Sequence, residues 1–201
     1  MVGLRERKKQ RTRRALVEAA LRLFEEKGFE DTTLAEIAAE AEVSTRTFFS
    51  YFAGKDDVLF YDVDSRLERT LDLIAHREPG ESLAALLIRM VKSSFEWTVN
   101  DGDFDLLMAP QRIGLIMSEP ALQARALHLL FDSQLRVAEA LHRNYSDELD
   151  EIEAAAAVGA LVGATKLAAM VSITRGDSME QMGAALIRAV EIAVGGIGSL
   201  G

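Results

Sequence analysis

The sequence predicts an all-α protein, on three observations. Leu, Ala, Glu and Arg abound while β-branched and turn-rich runs are scarce. Apolar residues recur at helical spacing in one segment after another. The breaks between segments are short and carry Gly, Pro or capping residues. At 201 residues and 49% hydrophobic composition the chain has room for one large or two small domains and enough apolar mass for a real core.

The first helix is expected from about Thr12 to Lys27, ending at Gly28. Ahead of it stands a basic run, Arg5, Arg7, Lys8, Lys9, Arg11, Arg13 and Arg14 against Glu6 alone. The net charge of −9 is therefore unevenly spread, and an anionic partner belongs at the N-terminal end. The run reads as a solvated arm, of a kind that meets phosphates or a minor groove. Arg13 and Arg14 are its expected DNA contacts.

A second helix starts at a capping box, Thr33-Leu34-Ala35-Glu36, in which a Thr and a Glu three residues on satisfy each other's orphan amides. Leu34, Ile37, Ala38 and Ala41 form one apolar face. Glu42-Val43 makes a turn, and Ser44 can cap a third helix, Thr45 to Phe52. Phe48 and Phe52 face inward, and Ala38 is the small residue where two steeply crossed helices touch. Thr45, Arg46, Thr47, Ser50 and Tyr51 remain outside. A plain amphipathic pair explains the apolar positions but not an outer face of hydroxyls and one Arg. That face suits a helix reading base edges in a DNA major groove.

A fourth helix is expected after Gly54, with Asp56 and Asp57 in its first turn and Leu59, Val63, Leu67, Leu71 and Ile74 at helical spacing, until Pro79-Gly80. A fifth covers Leu83 to Val99. A region broken by Pro110 runs from Phe104 to Met117, and Ser118-Glu119-Pro120 starts a helix to Asn144. Two more span about Glu148 to Thr174 and Ser178 to Val194, the last behind a second capping box, Ser178 to Gln181. The expected division is an N-terminal head of residues 1–55, a connector of 56–77, and a helical body of 78–201.

From Arg13 to Leu59 the chain resembles the TetR-type bacterial transcription regulators. Arg14-Ala15-Leu16, Ala20, Phe24 and Gly28-Phe29 match the family's first helix. Thr33, Ile37-Ala38, Ala41, Val43-Ser44, Thr47-Phe48-Phe49, Phe52 and Lys55 match its helix-turn-helix and the start of its fourth helix. Beyond His76 only the general helical layout is similar. Two positions depart. Glu42 stands where the family usually has Gly in the turn, and a positive φ there costs a non-Gly residue about 1 kcal/mol. Phe49 replaces a usual Tyr, so a phenol that often meets a phosphate gives way to a ring suited to a thymine methyl.

The resemblance implies a dimeric, ligand-responsive repressor of a near-palindromic double-stranded operator. The expected DNA contacts are Thr33, Ser44, Thr45, Arg46, Thr47, Phe49, Ser50, Tyr51 and Lys55, with Arg13 and Arg14. Lys55 and nearby amides are expected to hold a phosphate. In the family the last two helices pair with their copies. Here Ala155, Gly159 and Gly163, and Ala185, Ala189 and Ala193, form small-residue stripes that permit close approach. A small hydrophobic effector is expected against Phe95, Trp97, Phe104, Met108, Met117, Phe131 and Met170, with Arg112 and Lys166 able to pair with an acidic group on it. Each of these also suits ordinary core or surface.

Other classes fare poorly. Ala154 to Thr174 is apolar over a membrane-spanning length, but Lys166 sits mid-segment, so a buried soluble helix is expected, with no membrane partner. No cysteine is present, and the N-terminus lacks the apolar run of a signal peptide, which points to the cytoplasm. His128 and His142 lie fourteen residues apart, about 21 Å along a helix, too far to share a metal. The Gly196 to Gly201 match to a dinucleotide fingerprint follows no strand. No enzyme, cofactor or metal is expected. The rival reading is a helical interaction or ligand-carrier protein that does not bind an operator. The effector, the operator sequence and the sign of regulation are not legible in the residues.

Overall fold

A computed structural model describes residues 3–100 and 109–197. Among them all regular structure is helical: α1 Leu4–Lys27, α2 Leu34–Glu40, α3 Thr45–Phe49, a 3-10 turn at Asp57–Leu59, α4 Val63–Ala75, α5 Leu83–Asn100, α6 Ala109–Ser118, α7 Pro120–Asn144, α8 Glu151–Arg175 and α9 Met179–Ile197. Phe104, Met108 and the Gly198–Gly201 end of the fingerprint match lie outside the described residues.

The chain forms two compact units. One comprises the described residues of Met1–Val63 and Asp101–Leu127, the other those of Asp64–Asn100 and His128–Gly201. Residues 109–127 thus group with the N-terminal head, although the sequence reading counts them with the body. The first unit is built on Leu16, Ala20, Phe24, Phe29, Ile37, Phe48, Phe52, Val58 and Leu59, with Leu122 of α7 inserted among them. The second closes on Leu67, Ile74, Leu86, Leu87, Leu141, Tyr145, Val158 and Val190, where α8 and α9 pack along each other. There the Phe95 ring lies so close to Gly183 of α9 that a Cβ would sit 2.9 Å from it, so only glycine fits without a shift.

Most ends follow local chemistry. Gly28 (φ 87°) turns the chain out of α1, its N–H donating to the Phe24 carbonyl at 2.9 Å. Asp150 and Glu153 form a capping box on α8, which Gly176 ends in the left-handed region that costs glycine nothing. Ser178 and Gln181 make the box expected for α9.

Three expectations are corrected. α1 begins at Leu4, not Thr12, so the basic run from Arg5 to Arg14 is helix rather than an irregular arm. α3 ends at Phe49, and Ser50 and Tyr51 lie in the turn after it. The fourth helix begins at Val63, because Asp57 turns back to cap Ala53 and Gly54 and the chain makes a 3-10 turn before resuming. Pro110 lies within α6, and residues 104–108 of the expected broken region lie outside the described residues. α8 is long and apolar enough to cross a membrane by length and composition, the one such helix among the described residues.

Candidate nucleic-acid interface

The interface is built on α2, the turn after it, and α3. At the start of α2 the Thr33 hydroxyl accepts from the Glu36 amide at 3.3 Å, and the Thr33 amide donates to the Glu36 carboxylate at 2.9 Å. Lys27 pairs with that carboxylate from the end of α1. Its ammonium, with the Thr33 amide and hydroxyl, lowers the Glu36 pKa to about 2. This ties α2 to α1. Thr33 is exposed, but its hydroxyl is already engaged with Glu36.

Glu42 is the turn residue, at φ 55°. Its amide donates to the Ala39 carbonyl at 3.0 Å, and that of Val43 to Ala38 at 2.9 Å. These bonds hold a left-handed turn at a residue that is not glycine, so the departure at Glu42 leaves the motif's geometry in place. Ala38 is 1% exposed beneath the turn, where no larger side chain would fit unshifted.

Ser44 caps α3 by accepting from the Thr47 amide at 3.1 Å, and its hydroxyl meets that of Thr47 at 2.8 Å. Phe48 is fully buried, with its ring 5.5 Å from that of Phe52 and edge-on to Phe49 at 5.9 Å. The inward anchors fix what faces out. Ser44, Thr45, Arg46, Phe49 and Ser50 are exposed, Phe49 by 55%. A large aromatic ring so open to water beside a guanidinium and hydroxyls is what a surface that meets base edges requires. Thr47 and Tyr51 are half-buried, and Tyr51 packs its ring against the head core 6.4 Å from Phe52. Arg14 is exposed with its Nε on Glu18 at 2.7 Å, while Arg13 is half-buried.

Lys55 departs from its expected role. Its ammonium donates to the carbonyls of Phe29, Glu30 and Thr32 at 2.6, 3.0 and 3.2 Å, and sits 4.5 Å from the centre of the Phe29 ring. An ammonium has three donors, and all three serve the loop between α1 and α2. Lys55 clamps that loop.

Ion pairs that the sequence reading did not anticipate hold the segment that follows α3. Arg125 of α7 forks onto Asp56 and Asp57, and Arg112 of α6 pairs with Asp62 at 3.1 Å. Asp57 also accepts from the Ala53 and Gly54 amides at 2.8 and 3.0 Å. Burial would raise its pKa, but the Arg125 guanidinium and the two amides outweigh it and hold the carboxyl below its ordinary range. Arg112 is thus paired within the head, not held ready for an effector.

The other expected sites are scattered. Phe95 and Trp97 of α5 are half-buried, Phe95 against Gly183 and Trp97 with Arg69 5.9 Å from its ring. Met117, Phe131 and Met170 are 58%, 59% and 45% exposed. Lys166 is exposed on α8. Ala155, Gly159 and Gly163 are exposed on the same helix, and a Cβ at either glycine would meet nothing within 4 Å. On α9, Ala185 and Ala193 are half-buried and Ala189 is buried, so that stripe serves packing inside the chain as well.

A basic first helix, a tightly capped helix pair and an outward face of Arg, hydroxyls and one open aromatic ring define a helix-turn-helix DNA-binding protein. The comparisons give its family. Residues 16–61 match the family model of bacterial regulatory proteins of the tetR family. The chain is 32% identical over 154 residues to the HTH-type transcriptional regulator TcmR of Streptomyces glaucescens, covering 74% of this chain and 67% of that protein. Two solved structures share the fold. The fatty acid degradation regulator FadR of Bacillus halodurans superposes with a TM-score of 0.59 at 18% identity, over 92% of this chain and 95% of that one. Thermus thermophilus FadR, a TetR-family repressor solved with lauroyl-CoA, gives 0.52 at 22% identity, over 90% and 93%. The chain belongs to the TetR family and is a DNA-binding transcription regulator.

Proposed function

We propose that the chain is a repressor that binds a near-palindromic operator as a homodimer in the cytoplasm and is released by a small hydrophobic effector. By role, residues 1–55 read DNA, 56–77 connect, and 78–201 bind effector and dimerise. The observation that carries the DNA reading is the outward face of α3, with Thr45, Arg46, Phe49 and Ser50 open to solvent above a buried Phe48. Arg46 is the base reader, since a guanidinium can pair bidentately with guanine. Ser44, Thr47 and Tyr51, together with Thr33, Arg13 and Arg14, are the further DNA contacts.

One helix-turn-helix reads a half-site, so specific affinity needs two copies. The open side of α8 supports the seam. Ala155, Gly159 and Gly163 leave room for a second backbone, and Ile152, Leu167 and Val171 beside them are more than half exposed. Leaving such a face wet is unfavourable, and covering it with a copy of itself gives a closed two-fold assembly. For the effector, Phe95 and Trp97 are the proposed contacts, and the lauroyl-CoA held by the Thermus FadR supports an apolar ligand for this fold. The carrier reading without DNA binding loses its main support, because Glu42 occupies the turn without disrupting the motif.

A gel-shift titration on the DNA upstream of the chain's own gene tests this, with and without lauroyl-CoA. Retardation abolished by the ligand is the expected result. Retardation that no hydrophobic ligand relieves would remove the effector, and none at any concentration would return the carrier reading.

A further inference from the structure

Arg112 of α6 and Arg125 of α7 fasten the turn that follows the recognition helix. Arg125 divides its guanidinium between Asp56 and Asp57, and lies 5.3 Å from the centre of the Phe60 ring. Asp57 spends its second oxygen on the amides of Ala53 and Gly54, the two residues directly after the inward anchor Phe52. Asp56 is packed so closely that a Cβ on Gly54 would stand 2.7 Å from its Oδ1. On the other side of the turn Arg112 forks onto Asp62, which is 8% exposed, and lies 5.7 Å from the Tyr61 ring centre. Between the two forks Val58 and Leu59 are buried, with Leu122 in the same cluster.

A five-residue α3 has almost no stability of its own, since so few intrahelical bonds cannot repay nucleation. Its direction is therefore set by what holds its two ends. Ser44 holds the first. Past the second, the chain runs through Phe52 to the Ala53 and Gly54 amides, which donate to Asp57, whose carboxylate is itself met by Arg125. A planar fork matched to two carboxylates fixes orientation as well as charge.

We propose that Arg125, acting through Asp57, is a positioning residue for operator recognition: it fixes the C-terminal end of α3 without touching DNA. This rests on the operator reading above. A residue that only orients the base-reading face changes affinity for the right sequence. It leaves phosphate binding to any sequence alone, because the cations that supply that are untouched.

The test uses the full-length dimer, the duplex that the wild type selects from a random library, and an unrelated duplex of equal length. Arg125→Gln is expected to weaken binding to the selected duplex at least tenfold. Its affinity for the unrelated duplex and its salt slope should stay at wild-type values. Arg125→Lys, a point charge that cannot fork, should recover only part. Asp57→Asn keeps an acceptor for the two amides and should show a smaller loss of the same kind, which preserves the test if Arg125→Gln does not fold. Equal affinity of the folded Arg125→Gln protein for the selected duplex would overturn the proposal. So would a parallel loss on both duplexes with a shallower salt slope, which would make Arg125 a phosphate contact. If the wild type selects no sequence, the operator reading fails, and amide exchange in the free protein decides this one. Faster exchange at Ala53 and Gly54 in Arg125→Gln supports the fork, and unchanged exchange overturns it.

Discussion

Replacing Lys55 by Met separates a loop clamp from a phosphate contact. Met keeps the stem and removes three N–H donors, leaving the Phe29, Glu30 and Thr32 carbonyls without them. Two of those bonds are partly buried and the third is exposed, where water substitutes. Bonds to a charged group contribute about 1.5–3 kcal/mol when fully sheltered; the two partly buried ones, at about 1–2 kcal/mol each with the exposed one adding little, make the loss about 2–4 kcal/mol in all. The ammonium over the Phe29 ring accounts for about 0.5 kcal/mol of this. For a chain of this length that lowers Tm by about 5–12 °C. The assay is thermal unfolding by circular dichroism at neutral pH, with operator affinity measured against salt below the transition. A lowered Tm with an unchanged salt slope is expected. An unchanged Tm with a slope reduced by about one per half-site would refute the clamp and return Lys55 to the phosphate.

Three further outcomes are expected. Arg46→Ala should cost about 1–3 kcal/mol on the operator and relax preference at one position in each half-site, whereas uniform weakening on all sequences would make Arg46 a phosphate contact. A Cβ at the exposed Gly159 meets nothing inside the subunit, so the Gly159→Leu chain should fold normally yet sediment as monomer at micromolar concentration and lose operator affinity. A stable dimer would move the seam elsewhere. Glu36 and Asp57 both titrate below their ordinary values in the folded chain, so the unfolded chain binds protons first, and their stabilisation, present above the ordinary carboxylate range, is lost as pH falls, for Glu36 toward about 2. Glu36→Gln should flatten that acid limb in a circular-dichroism titration, and an unchanged limb would mean the Lys27 pair contributes nothing.

What was legible in the sequence was what neighbours in the chain decide. The Thr33–Glu36 and Ser178–Gln181 boxes, the Ser44 cap and the inward Phe48 and Phe52 depend on side chains three or four residues apart, and the structure has them as expected. The positive φ at Glu42 was anticipated from the residue type the turn usually takes. What was not legible is long-range. Arg125 reaches Asp56 across 69 residues and Arg112 reaches Asp62 across 50, with no periodicity to announce either pair. Asp56 and Asp57 read locally as dipole-favoured helix starters, yet the distant Arg draws them into a turn. Lys55 likewise reads as a surface cation until its loop, 23 to 26 residues upstream, folds back beneath it. The exposed Met117, Phe131 and Met170 carry the same helical spacing as core residues, and spacing alone does not say which face a second chain covers.

We propose that α3 reads one half of a two-fold operator, and selection of bound duplexes from a random library by the purified chain measures this. An inverted repeat is expected, with half-site centres about 10 base pairs, or a multiple of that, apart. The consensus should lose one position per half-site when the selection is repeated with Arg46→Ala. Recovery of a single unpaired site, or of no preferred sequence at all, would contradict it.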